Sequence, residues 1–247
     1  MSIELHNQEI RRNQYFWKEK PILRSIYSKF YKEISLRLDS RTPGATVELG
    51  SGIGVSKDHL PGCITTDLFA NPWVDRVENA YKLTFADQSV RNLILFDVWH
   101  HLEYPGSALD EFSRVLVSGG RVILFEPAMS LLGRVVYGLF HREPTGRDKE
   151  IHWRIPESVS LNELGYYAAQ GNCWRLFRRE INPDLLKDWK IVESAYFNGV
   201  AYILSGGFSG PKLMPDRLLR LILRFEGVSQ YFSGLFATRM LVVLEKR

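Results

Sequence analysis

Apolar residues recur at helical spacing in some stretches of this chain and in unbroken runs in others, and the succession of the two predicts its elements. From Gln8 to Leu38, Phe16, Ile22, Ile26, Phe30 and Ile34 fall on a helical face. Pro21 divides the stretch into two helices, because proline lacks an N–H and its ring collides with the preceding turn. Ser40 to Gly44 is a polar turn that delivers the short run Ala45-Thr46-Val47, and Ile64-Thr65-Thr66-Asp67 is a second β-prone run. Asn92 to Phe96 is apolar enough for a strand buried on both faces. Ala108 to Leu116 then carries Leu109, Phe112, Val115 and Leu116 on one helical face, Ser118-Gly119-Gly120 stops it, and Arg121 to Pro127 reads as another buried strand. Strand, helix, strand with glycine between is the order of a parallel α/β sheet.

Beyond Pro127 the pattern loosens. Leu131, Leu132, Val135, Val136, Leu139 and Phe140 form one helical stripe, with Gly133, Arg134 and Tyr137 on the other side. The stripe is expected to pack on the body of its own domain; a wall of an acceptor pocket and a contact with lipid are the alternatives. His141 to Leu186 has no long regular pattern and is rich in aromatic and basic residues, such as Trp153, Tyr166, Trp174 and Arg178. Trp189 to Phe197 and Arg239 to Glu245 are strands. Between them Arg217, Arg220 and Arg224 share one side of a helix carrying Leu218, Leu221, Ile222 and Phe225, a solvated basic face by expectation. One domain over 1–247 accommodates all of this: a helical extension at 1–44, a core at 45–127, an acceptor-side insertion at 128–188 and C-terminal strands with a helix at 189–247.

Composition narrows the class. With 247 residues, 45% of them apolar, the chain can fill a full α/β core, so disorder is not expected. Cys63 and Cys173 are far apart and match no CxxC pattern, which indicates neither a disulfide framework nor a zinc site. The first residues, Met1 to Glu9, are polar, and no apolar run is long enough to span a bilayer. A cytoplasmic location is expected. The net charge of +4 is modest, yet cations crowd two places, Arg11 to Arg41 and the set Arg134, Arg142, Arg147, Lys149 and Arg154. These read first as solvated faces; an anionic acceptor or peripheral contact with an anionic membrane would also suit them. No nucleic-acid module accompanies them, so a nucleic-acid partner is disfavoured. Oligomeric state is not legible.

The most informative segment is Glu48-Leu49-Gly50-Ser51-Gly52-Ile53-Gly54. It reads as a strand end turning through glycines into a helix, where backbone approaches a ligand too closely for a Cβ. Dinucleotide sites use the related GxGxxG spacing, but Val55 stands where that fingerprint wants its third glycine. An acidic residue followed by GxGxG resembles the first motif of the class I S-adenosylmethionine-dependent methyltransferases. Two further blocks carry the resemblance. Glu78 to Ser89 is similar to the family's GDAxxLPFxDxS segment, with Asn79 in place of the usual aspartate, and Phe96-Asp97-Val98-Trp99-His100-His101-Leu102 is similar to its fourth strand, which commonly ends in paired histidines.

The resemblance covers roughly residues 45 to 127. It implies a Rossmann-like, mostly parallel seven-stranded sheet with helices on both faces and the last strand antiparallel. It implies S-adenosylmethionine as cofactor, with S-adenosylhomocysteine as product. Glu48, Gly50, Ser51, Gly52 and Gly54 would form the cofactor loop, Asp67 with Leu68 would meet the ribose, Asn79 and Ala80 the adenine, and Phe96 and Asp97 would complete the pocket. Glu48 either orients the loop or meets the cofactor's amino group. His100 and His101, on the rim where acceptors bind, are the candidate bases; on an extended chain neighbours point apart, so one of them is expected to serve. No metal site is expected. The function implied is methyl transfer to a small-molecule acceptor, at oxygen, with an anionic, glycosylated or lipid-linked compound suggested by the basic and aromatic second half. An NAD-dependent oxidoreductase or epimerase, and a non-catalytic S-adenosylmethionine-binding protein, are the competing readings.

Overall fold

The computed structural model describes residues 3–141, 143–179 and 182–247, so Met1, Ser2 and Arg142 of the segments discussed above lie outside the described residues. Helices α1 (Ile3–Glu19) and α2 (Pro21–Ser35) come first, separated where Pro21 requires. Pro21 occupies the first turn of α2, where an N–H would have no helical partner. There follow β1 (Ala45–Leu49), β2 (Ile64–Asp67), β3 (Arg76–Val77), β4 (Val90–Phe96), α3 (Pro105–Val115) and β5 (Leu116–Pro127). Next are α4 (Leu131–Val135), which runs into a π turn over Val136–Phe140, then α5 (Asn172–Trp174), β6 (Trp189–Phe197), α6 (Val200–Leu204), α7 (Leu219–Ser229), α8 (Ser233–Phe236) and β7 (Arg239–Lys246).

Among the described residues the seven strands form one sheet in the order β3-β2-β1-β4-β5-β7-β6. β1 pairs in parallel with β2 and β4, and β4 with β5; β7 runs antiparallel between β5 and β6. This is the Rossmann-like sheet the sequence implies. Successive residues of β4 serve opposite faces. Leu93 and Leu95 join Phe112 and Trp99 on the α3 side, while Ile94 and Phe96 join Ile26 and Phe30 of α2 on the other. The chain leaves β1 for β2 on one side and later returns to place β4 on the other. A crevice therefore opens beyond the C-terminal ends of β1 and β4, and every predicted site residue lies on a strand end or loop near that edge.

Two details depart from expectation. The glycines after α3 do not separate helix from strand; β5 already starts at Leu116, and a pairing irregularity between Val90 and Asn92 absorbs Val117 to Gly120, with Gly119 at φ 75°. The stripe after Pro127 faces the opposite way. Gly133 and Tyr137 are buried, whereas Leu131, Val135, Leu139 and Phe140 are exposed. A Cβ on Gly133 would lie 1.9 Å from the Ala128 carbonyl oxygen, so this side alone lets the helix approach so closely. The Tyr137 hydroxyl fixes the same orientation by donating to the Thr238 carbonyl at 2.8 Å.

Candidate functional site

Gly50, Gly52 and Gly54 all adopt positive φ, at 69°, 55° and 68°. Their surroundings divide their roles. A Cβ on Gly50 would stand 2.4 Å from Val98 Cγ2 and one on Gly54 2.6 Å from the Trp73 carbonyl oxygen, so the chain's own packing excludes side chains there. A Cβ on Gly52 would meet nothing nearer than Ile10 Cδ1 at 4.0 Å, which puts this glycine on the open side of the loop. Ser51 ties the loop to β2: its N–H donates to the Thr66 carbonyl at 2.7 Å and its hydroxyl accepts from the Thr66 N–H at 3.2 Å. Glu48, 1% exposed, lies beneath and accepts from Tyr31 Oη at 2.7 Å and Ser56 Oγ at 2.6 Å. Burial raises its carboxyl above the usual range against the pull of these hydrogen bonds. Of the two roles open to Glu48, the geometry is that of orienting the loop.

Asp67 closes β2 beside the loop. One carboxylate oxygen accepts from the Gly52 N–H at 3.0 Å; the other accepts from the Leu68 N–H at 2.7 Å and faces His6 Nε2 at 3.2 Å. Helix α1 thus lies across the crevice with His6 over Asp67 and Ile10 over Gly52, a placement with no sequence signal beyond the helical periodicity of the segment. Leu68 is exposed on the rim and Ala80 is half-buried. Asn79 Oδ1 already accepts from the Tyr81 N–H at 2.9 Å, so the oxygen offered to adenine is shared with its own turn. Phe96 is not on a ligand surface: its ring stacks on Tyr27 at 5.3 Å and meets Phe125 at 4.9 Å, because its position in β4 points into the α2-side core. Asp97 has φ 56° and its carboxylate pairs with Arg239, a guanidinium only 2% exposed and surrounded by the rings of Phe30, Phe96, Phe125 and Tyr202.

The two histidines do not point apart. They sit on a 3₁₀ turn over Trp99–His101 rather than on extended chain, and their ring centroids are 4.2 Å apart. Glu126, wholly buried at the end of β5, shapes this turn by accepting from the Val98 and Trp99 N–H groups and from His100 Nδ1 at 2.6 Å. From the insertion comes Glu143, whose carboxylate lies 3.5 Å from His100 Nε2 and 3.9 Å from His101 Nε2 and also accepts from Tyr166 and Gln170. Sequence reading missed Glu126 and Glu143; the acid at the end of β5 was the one available signal. Burial opposes charge on His100, but Glu126 and then Glu143 raise its pKa to about 10. Burial lowers that of His101 to about 4, assisted by the neighbouring His100 charge. Glu143, which burial would raise, is held well below the carboxylate range by the two histidines.

His101 Nδ1 donates to the Tyr167 carbonyl at 2.9 Å, which leaves Nε2 with a lone pair in the neutral ring. Near neutrality one histidine is therefore a buried cation locked between carboxylates, and the other is a half-exposed neutral base. Among the described residues, His100, His101 and Glu143 bring ligand atoms within 4.8 Å of one another, as do Asp97, His100 and Glu126, a geometry that could hold a cation. A cavity of about 520 Å³ opens beside Glu143, bounded by Tyr137, His141, Arg147 and Lys149 among others.

Comparison with known proteins agrees with this architecture. Residues 49–124 match the family described as Methyltransferase domain. A SAM-dependent methyltransferase from Archaeoglobus fulgidus superposes with a TM-score of 0.52 at 12% identity, over 94% of this chain and 99% of that one. A SAM-dependent methyltransferase from Thermotoga maritima, described as a possible histamine N-methyltransferase, superposes with a TM-score of 0.54 at 14% identity, over 97% and 99%. Among curated protein sequences none matches the chain. The strand order, the glycine loop and these neighbours define a class I methyltransferase fold. Residues 49–124 carry the match to the methyltransferase-domain family, and the fold as a whole is shared with these S-adenosylmethionine-dependent enzymes. The residues of the crevice suit that cofactor: no side chain crowds Gly52, whose one near neighbour is Ile10 of the covering α1, and Asp67 stands at the end of β2 with its carboxylate on the loop and His6.

Proposed function

We propose that this enzyme methylates an oxygen of a small-molecule acceptor that is anionic, glycosylated or lipid-linked. The observation that carries the reading is the neutral His101, whose Nε2 lies 3.9 Å from Glu143, a residue that with Arg147 and Lys149 lines a cavity of about 520 Å³. A cavity of that size suits a small molecule, and its lining of Arg147 and Lys149 beside Glu143 and Asp148 suits a polar one. Bound S-adenosylmethionine supplies a methyl group on a sulfonium, a strongly activated leaving group. The chain's tasks are then to align the acceptor and to exclude water. Gly50 to Gly54, Asp67, Leu68, Asn79 and Ala80 hold the nucleoside; the Phe96 ring does not take part, and Arg239 holds the Asp97 carboxylate in place.

His101 Nε2 takes the acceptor proton, and Glu143 stabilises the imidazolium that results. His100 is the positioning residue, since it is buried and already paired at both nitrogens. The proposed step moves the proton through His101 and Glu143 alone, so dialysis against a chelator is expected to leave turnover unchanged. The test is transfer of labelled methyl from the donor to components of a cell extract, followed by mass spectrometry of the labelled product. His101→Gln is expected to lower kcat by on the order of 10²–10⁴ with S-adenosylhomocysteine affinity retained. Label found only in nucleic acid, or full turnover by His101→Gln, overturns the reading.

A further inference from the structure

Two surface segments share an unusual make-up. On α7, Leu221, Phe225 and Val228 recur at helical spacing on an exposed face, while Leu219, Ile222 and Leu223 pack on the protein. The exposed face continues through Tyr231 and Phe232, 88% and 60% exposed, to α8. Phe225 and Phe236 are in edge contact at 6.1 Å, and Ser130 Oγ donates to the Leu235 carbonyl at 3.2 Å, which joins α8 to the start of α4. There the π turn presents Leu139 and Phe140 at 74% and 80% exposure. An apolar surface of this extent, continuous over three elements, is more than scattered hydrophobic exposure explains.

Its charge is one-sided. Residues 129–141 contain no acidic residue, and residues 217–238 contain only Glu226, which is 3% exposed and paired with Lys29. Arg134, Arg217, Arg220 and Arg224 are all exposed along the same segments. A second copy docking through this surface by a two-fold axis would bring arginines against arginines. A bilayer with anionic headgroups meets both features: large apolar side chains enter the headgroup–acyl boundary, and the arginines extend their charged ends to phosphates. Among the described residues no helix is long and apolar enough to cross a membrane, so the contact lies in the plane of the interface. We infer that α7, α8 and the π turn after α4 form a docking surface for an anionic lipid membrane. The cavity beside Glu143 is lined in part by Tyr137 and Gly138 of that same π turn, so it opens near the lipid.

Cosedimentation of the full chain with vesicles tests this independently of the methyl acceptor. Vesicles containing phosphatidylglycerol are expected to bind the protein and pure phosphatidylcholine vesicles to bind it far less. Arg217→Gln with Arg220→Gln and Arg224→Gln should weaken binding by on the order of 100-fold, and Leu221→Asp with Phe225→Asp should abolish it. Binding of S-adenosylhomocysteine by each variant reports that it has folded; should the α7 variant fail there, Leu139→Asp on the other segment takes its place and is expected to weaken binding at least tenfold. Failure of the wild type to bind anionic vesicles overturns the proposal. So does binding that these substitutions leave unchanged, and so does a dimer in light scattering that the same substitutions dissociate.

Discussion

At the scale of single residues, the glycine loop shows how a motif can be read correctly while its members do different work. All three glycines were legible from spacing, but only the structure separates Gly52, which faces the crevice, from Gly50 and Gly54, which neighbours force to be bare. Gly50→Ala should destabilise the fold by about 1–3 kcal/mol through its collision with Val98 and its positive φ, measurable by urea titration. Asp67→Ala should weaken S-adenosylhomocysteine binding by roughly 10–100-fold in calorimetry, the loss expected for a charged hydrogen-bonding group. The histidine pair was visible in sequence, but its opposed ionisation was not, since Glu143 arrives from far along the chain. His100 is raised to about 10 from its ordinary 6.5, so its contribution to stability is complete below about 6.5 and vanishes as pH rises through about 10. The thermal midpoint of the wild type should therefore fall over that interval more steeply than that of His100→Asn.

Among elements, the sheet was the most legible part because buried parallel strands leave unbroken apolar runs that little else produces. β3 was not legible, being two exposed residues long. The orientation of α4 could not be read from periodicity, which ranks side chains by hydrophobicity and is blind to a glycine that admits a neighbouring carbonyl. Helix α1 was expected as a helix, but its seat over the cofactor loop depends on His6 and Ile10, two residues that carry no motif. On the proposed reading of the loop, α1 covers the bound nucleoside. Ile10→Asp, which puts a carboxylate where Ile10 now packs over Gly52, should speed release of S-adenosylhomocysteine at least tenfold in stopped-flow displacement, with the fold retained by circular dichroism.

For the whole molecule, the part up to β5, with the glycine loop, and the part after β5 differ in how far sequence determines them. The former recurs at fixed strand ends and was readable; the latter is assembled from short helices and turns whose partners are chosen by tertiary packing. S-adenosylhomocysteine at a hundred times its Kd should add about 2.7 kcal/mol to stability and raise Tm by roughly 5–10 °C, while NAD should not raise it. Asp97→Ala strands the buried Arg239 charge and should cost about 3–5 kcal/mol, most of which Arg239→Met in the same chain should restore in chemical denaturation.

The pairing of Arg239 with Asp97 also sets an order of events during synthesis. Asp97 emerges from the ribosome early and Arg239 belongs to the last strand of the sheet, which inserts between two strands made long before it. No nascent chain that stops short of β7 owns a finished rim, and the half-made protein waits with the Asp97 carboxylate unpaired.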